Sequence, residues 1–139
     1  MLRRTLMSVM LVGLAVAIAG ATGQDTVIMT TLCEVTKQPE RFDGRSIQLR
    51  AAIRLGVEDS PTVLFDPSCS AVVAVVLPQK APSQHVKEYR KLCRSMKKEQ
   101  AVTATVIGRF ARTIVHFGNG ATLGSQLDLE TVSEVAAMR

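Results

Sequence analysis

Three cysteines and two histidines are the side chains of this sequence best suited to covalent or acid–base chemistry. Cys33, Cys69 and Cys93 form no CxxC pair, and none stands beside a histidine at zinc-site spacing. His85 and His116 have no nucleophile or acid at motif spacing, and GxSxG, HExxH and GxxxxGK(S/T) do not occur. We therefore predict a non-enzymatic protein with no catalytic residue, metal site or cofactor. A small hydrolase centred on His116 is the weaker alternative.

Arginines on two predicted strands are the next group that could do chemistry. Arg50, Arg54 and Arg109 alternate with apolar residues, so we expect them on the outer face of a sheet. Together with His116, which follows in a glycine-rich loop, they are the candidate ligand-binding residues. A solvated strand face is the simpler interpretation of the arginines, and a solvated loop is the simpler interpretation of His116.

The first 23 residues have the three parts of a secretory signal peptide. Arg3 and Arg4 precede an apolar run over about 6–19, and small residues follow at 19–23. We predict cleavage near residue 23, with an uncleaved membrane anchor as the alternative, and a single domain over 24–139. The mature protein would then be secreted or periplasmic, without a transmembrane segment.

The charge of that domain restricts its partners, and its cysteine count indicates a disulfide. The chain carries 17 Lys+Arg and 12 Asp+Glu, and loss of Arg3 and Arg4 lowers the net charge from +5 to +3. This mild excess does not by itself indicate nucleic acid, and we do not expect nucleic acid as a partner. In oxidising surroundings, three cysteines predict one disulfide and one spare thiol.

Hydrophobic periodicity places these residues on a short series of elements. Thr31 begins a T-x-x-E capping box, and Pro39 is expected to end the helix that follows in a bend. The predicted elements are a helix over 32–37, strands over 47–55, 62–66 and 70–78, a helix over 84–98, and strands over 101–110 and 127–135. The third strand is nearly all apolar, so burial on both faces is expected. The second helix is amphipathic, and its basic side is expected to be a solvated face, with phosphate binding as the alternative.

This order of elements predicts a mainly β fold. Five strands with one helix between the third and fourth is the arrangement of the OB-fold, a five-stranded Greek-key barrel, here with a short leading helix. An α+β sandwich with the same element order is the rival.

The stretch "LCEVTKQPERFDGRSIQLRA" (32–51), followed by "LFDPSC", "VIGRF" and "GNGATLGSQLDLETV", resembles the secreted bacterial tRNA-anti-like OB-fold domains. The chain departs from that family's pattern because it has no tryptophan and has Ala121-Thr122 in the glycine loop. The resemblance implies an exported OB-fold domain and, from the matching positions, a disulfide between Cys33 and Cys69. That family is largely without an assigned activity.

We expect an exported binding module that uses the barrel face and the glycine loop to bind an unknown envelope or extracellular ligand. The alternative is a single-stranded nucleic-acid-binding protein that uses Arg50, Arg54, Arg109 and the basic helix. Stacking on bases requires aromatic side chains, and only 4% of the residues are aromatic.

Overall fold

The computed structural model of the protein describes residues 26–56, 60–77, 80–96 and 101–138. The signal peptide predicted at 1–23 lies outside these residues. Within them, no helix has the length and apolar character needed to cross a membrane.

Eight strands and three helices follow one another along the described chain. In order they are β1 (Ile28–Met29), α1 (Leu32–Lys37), α2 (Pro39–Phe42), β2 (Ser46–Arg54), β3 (Val63–Asp66), β4 (Ala71–Val76), α3 (Ser83–Met96), β5 (Ala101–Ala111), β6 (Val115–His116), β7 (Thr122–Leu123) and β8 (Gln126–Ala137).

Five of the strands close into a barrel, as the sequence predicts. The strand order is β2-β3-β4-β8-β5, and β5 also pairs with β2 along nine registered residue pairs. The β4–β8 pair is parallel and the other four pairs of the ring are antiparallel. This OB-fold-like ring excludes the sandwich alternative, because a sandwich would leave the sheet open.

Alternation along the strands fills the barrel. On β2 the inward residues Ile47, Leu49, Ala51 and Ile53 are all buried, and Arg50 between them is exposed. From β5 and β8 the core receives Phe110, Leu127 and Leu129, among others. From α3 it receives Leu92 and Met96, which lie on one side of the helix.

The leading segment is more structured than the sequence indicates. Thr31 Oγ1 accepts a hydrogen bond from the Glu34 amide at 3.2 Å, as expected of the cap. The Glu34 carboxylate instead accepts from the Thr30 hydroxyl at 2.9 Å, so the second bond of the box is replaced. As expected, α1 ends at Lys37 and the chain bends at Gln38, but Pro39 then begins α2, a helix that the sequence did not predict. Proline suits the first helical position, where a backbone N–H would have no partner inside the helix.

A tight turn then starts the barrel. Gly44 has a φ of +72°, and the Arg45 amide donates to the Phe42 carbonyl at 2.9 Å. This is the geometry of a type II turn, which requires a residue such as glycine at its third position. The strand β1, which periodicity did not predict, pairs in parallel with the start of β2.

Two further expectations need correction. Burial of the third predicted strand on both faces is wrong for Val72 on β4, which is 40% exposed because it points away from the barrel interior. The long glycine loop between β5 and β8 contains the hairpin β6–β7, which lies beside β4.

Candidate functional site

A disulfide joins Cys33 of α1 to Cys69 in the turn between β3 and β4, with a Cα–Cα distance of 5.9 Å. This confirms the pairing that the resemblance implies. Cys93 is a free, half-buried thiol on α3. The disulfide holds α1 against the β3–β4 hairpin, so its surroundings have a fixed shape.

Asp66 shapes the turn that carries Cys69. Its carboxylate accepts hydrogen bonds from the Ser68 hydroxyl at 2.6 Å and from the Ser68 amide at 2.9 Å. These bonds favour the charged form and lower the pKa of Asp66, which a small desolvation effect opposes. Ser70 ends the turn with a φ of +56°.

One group of potential metal ligands comes together within the described ranges. The Cys33 and Cys69 sulfurs and a carboxylate oxygen of Asp66 all lie within 4.8 Å of one another. Metals bind the thiolate form of cysteine, and here both sulfurs are joined to each other. In this oxidised form the group is therefore not a metal site.

A cleft of about 730 Å³ opens beside the disulfide, and we call it the disulfide cleft. Its volume falls within the range of small-molecule sites in proteins. It lies between α1, the start of β4 and the two ends of the segment that joins β5 to β8. Besides the two cysteines, its lining includes Lys37, Pro39, Val72, Arg112, Gly124 and Ser125.

The charge of the disulfide cleft comes from two cations on different elements. Lys37 lies in the last turn of α1, and Arg112 follows the end of β5. No carboxylate is among the described residues that line the cleft. Neither cation forms an ion pair with a described carboxylate. Pro39 and Val72 add apolar surface, so the cleft suits a ligand that carries both an anionic group and an apolar part.

Backbone contacts position the walls of the cleft. The Arg112 amide donates to Asp43 Oδ1 at 2.9 Å, which ties the end of β5 to the type II turn. Where the neighbouring strands β4 and β8 meet, the Ala74 amide donates to the Ser125 carbonyl at 3.3 Å. The Arg112 backbone is therefore held by the turn before β2, and Ser125 is held by β4 of the barrel.

A second, smaller cleft of about 410 Å³ shares Arg112 and Gly124 with the first. Its lining also includes Asp43 and Ile114, and Ile114 is 68% exposed. Arg112 therefore stands between two adjoining concave surfaces.

The three predicted arginines lie on one outer face, away from the disulfide cleft. Arg50 and Arg54 are four residues apart on β2. Arg109 of β5 lies opposite Ser46, which comes four residues before Arg50. Neighbouring arginines are therefore about 13 Å apart along the strand direction.

Each of these arginines already has interactions within the protein. Arg50 donates to the Glu134 carbonyl at 3.0 Å and lies 3.7 Å from the Glu134 carboxylate. The Arg54 guanidinium carbon lies 5.6 Å from the centre of the Phe65 ring, a cation–π geometry. Arg109 donates to the Gly44 carbonyl at 2.6 Å. Much of this charge is thus engaged in holding the barrel together.

His116 is exposed on β6, with Thr122 as its cross-strand neighbour. Across the described part of the chain, no hydrogen bond joins His116 to a carboxylate. The structure does not bring His116 together with Arg50, Arg54 or Arg109, and none of the four lines the disulfide cleft.

Lys37 and Arg112 are the residues that sequence reasoning missed. They are distant in the chain, and neither stands in a motif. The pairing of Cys33 with Cys69 was the available signal, and for Lys37 alone, because it places α1 beside the start of β4.

Neither the protein-family models nor the curated proteins compared with the chain match it. The resemblance to tRNA-anti-like OB-fold domains therefore stays a prediction.

Proposed function

We propose that the protein is an exported, non-enzymatic OB-fold module that binds an envelope or extracellular ligand in the disulfide cleft. The observation that carries the proposal is the pair of cations, Lys37 and Arg112, beside the exposed apolar surface of Val72. A disulfide is typical of proteins that fold in oxidising surroundings, which supports export.

The ligand class follows from the lining of the cleft. Two cations line the cleft and no carboxylate is among its described lining residues, which favours an anionic group; each charge-assisted hydrogen bond contributes about 1.5 to 3 kcal/mol. Pro39 and Val72 favour an apolar body next to that anion. The ligand is thus a small amphipathic carboxylate or phosphate, or the end of a larger molecule with that chemistry.

The nucleic-acid alternative has less support. It depends on the arginine face, where Glu134 is paired with Arg50 and Asp128 is registered opposite Arg109. Both carboxylates would repel a phosphate backbone. A titration with a single-stranded oligonucleotide at two salt concentrations tests this alternative, since phosphate contacts are salt-dependent.

The proposed binding can be tested with benzoate and phenyl phosphate as probes, followed by the amide NMR spectrum. We expect both anions to shift the amides of Val72, Gly124 and Ser125, and we expect uncharged benzyl alcohol to have little effect. Replacement of both cations, Lys37→Gln and Arg112→Gln, should weaken binding at least about tenfold, the equivalent of one charged hydrogen bond.

Arg41→Gln with Arg45→Gln is the matched control, because it removes the same charge from exposed positions that do not line the cleft. It should leave binding unchanged. Shifts confined to other surfaces, or an equal loss in the control, would contradict the cleft as the site. Release of phenol from phenyl phosphate would contradict the non-enzymatic part of the proposal.

A further inference from the structure

The outer side of α3 carries an uninterrupted basic stripe, which we call the basic face and define as Lys87, Arg90, Lys91 and Arg94. All four are exposed. With about 100° of rotation per residue, they fall within an arc of about 100°. The arc extends about 10 Å along the helix axis. Four cations thus lie on one narrow strip.

Burial shows that the basic face points away from the barrel. Leu92 and Met96 are buried, and they lie on the opposite side of the helix from the arc. Tyr89 is also turned toward the barrel, where its hydroxyl lies 3.5 Å from Thr62 Oγ1. The apolar side of α3 is therefore used for packing and does not face solvent.

Glu88 interrupts the basic run in the sequence but not on the folded surface. Its Oε2 accepts from the Val132 amide of β8 at 3.3 Å, and its Oε1 accepts from Gln84 Nε2 at 3.2 Å. The carboxylate is turned toward the barrel and does not neutralise the arc. None of the four cations of the basic face forms an ion pair with a carboxylate of the described residues.

We propose that the basic face docks the protein on a lipid bilayer with anionic headgroups. Four outward cations on the helix are complementary in charge to a flat anionic surface, and each Lys or Arg near such a surface strengthens binding about fivefold. The arc has no aromatic side chain on which a base could stack. Because the apolar side of α3 is buried, the contact is electrostatic, without insertion.

Vesicle flotation tests the docking with the chain from residue 24, which contains every described element. We expect binding to vesicles of equal parts phosphatidylglycerol and phosphatidylcholine, and none to phosphatidylcholine alone. Lys87→Gln with Lys91→Gln should weaken binding about 25-fold, and Lys91→Glu alone should weaken it more than Lys91→Gln. Binding should disappear near 0.5 M salt, where the Debye length is about 4 Å.

The control pair Arg41→Gln and Arg45→Gln has the same net charge as the double variant and should retain vesicle binding. An equal loss in that pair would overturn the basic face as the docking surface, as would undiminished binding of Lys87→Gln with Lys91→Gln. Binding to a single-stranded oligonucleotide in place of vesicles would overturn the choice of partner. Benzoate binding of the basic-face variant should be unchanged, which separates this proposal from the cleft and shows that the variant is folded.

Discussion

Removal of the Cys33–Cys69 disulfide should lower the stability of the protein by a calculable amount. The bond closes a loop with a sequence separation of 36 residues. The chain-entropy relation for such a loop gives about 13 cal/mol/K, or about 4 kcal/mol at 25 °C. This effect acts on the unfolded chain, because the bond restricts the conformations that it can adopt. A domain of this size is stabilised by roughly 5 to 15 kcal/mol, so the loss is a large fraction.

The double variant Cys33→Ser with Cys69→Ser should still fold. Leu32 and Val35 of α1 are buried in the core, and these contacts hold the helix on the barrel without the bond. We expect an unchanged far-ultraviolet circular dichroism spectrum. With a urea dependence of about 1.5 kcal/mol/M, the unfolding midpoint should fall by about 2.5 M.

Urea unfolding of four samples tests this reasoning: the wild type with and without reductant, the double variant, and Cys93→Ser. Reduced wild type should match the double variant, whose midpoint should not respond to reductant. Cys93 is a free, half-buried thiol, so Cys93→Ser should cost about 1 kcal/mol at most. A midpoint change under about 0.5 M on reduction would refute the loop-entropy argument. A loss of stability in Cys93→Ser well above about 1 kcal/mol would refute the assignment of the disulfide to Cys33 and Cys69.

Three further predictions concern the barrel. Phe110→Ala should reduce the free energy of unfolding by about 3 to 5 kcal/mol, because its side chain is fully buried. Ile114 is exposed, so Ile114→Ala should change the free energy of unfolding by about 0.5 kcal/mol or less. Equal losses of the two variants in thermal unfolding would contradict the described core. Gly108→Ala should cost about 1 to 3 kcal/mol, since its Cβ would overlap the Asp128 carbonyl of β8; a stability within error of the wild type in urea would contradict that close approach. Burial raises the pKa of Tyr89 above 10.0, so the tyrosine ionises at lower pH in the unfolded chain than in the folded protein. The free energy of unfolding should therefore fall as pH rises above about 10. Tyr89→Phe should lessen this alkaline loss, and identical pH profiles of the two proteins would exclude Tyr89 as its cause.

Local patterns predicted the elements whose signals are contained in a few neighbouring residues. The cap at Thr31 located α1, and the alternation from Ile47 located β2 to within a residue at each end. The α2 helix was missed because a proline that ends one helix can also begin the next, as Pro39 does, and the packing of Phe42 in the core leaves no local pattern.

Features that depend on distant partners left little trace in the sequence. The two-residue strand β1 exists through its pairing with β2, and the β6–β7 hairpin is equally short. The predicted ligand residues were three arginines on strands and a histidine in the glycine loop, whereas the cations of the disulfide cleft are Lys37 at the end of α1 and Arg112 just after β5. The two cations lie close together because the barrel closes and the disulfide forms. Neither of these can be predicted from the spacing of residues in the sequence.

The parallel pair β4–β8 gives the barrel an uneven resistance to local opening. It has three registered residue pairs, against nine between β2 and β5, and the loop closed by Cys33 and Cys69 does not include β8. We expect amide protons along β4–β8 to exchange with solvent before those of β2–β5. Because the bond from the Ala74 amide to the Ser125 carbonyl lies at this junction, its opening would also widen the disulfide cleft. Ligand entry would then be coupled to local opening of the β4–β8 pair, while the segment closed by the Cys33–Cys69 disulfide stays in place.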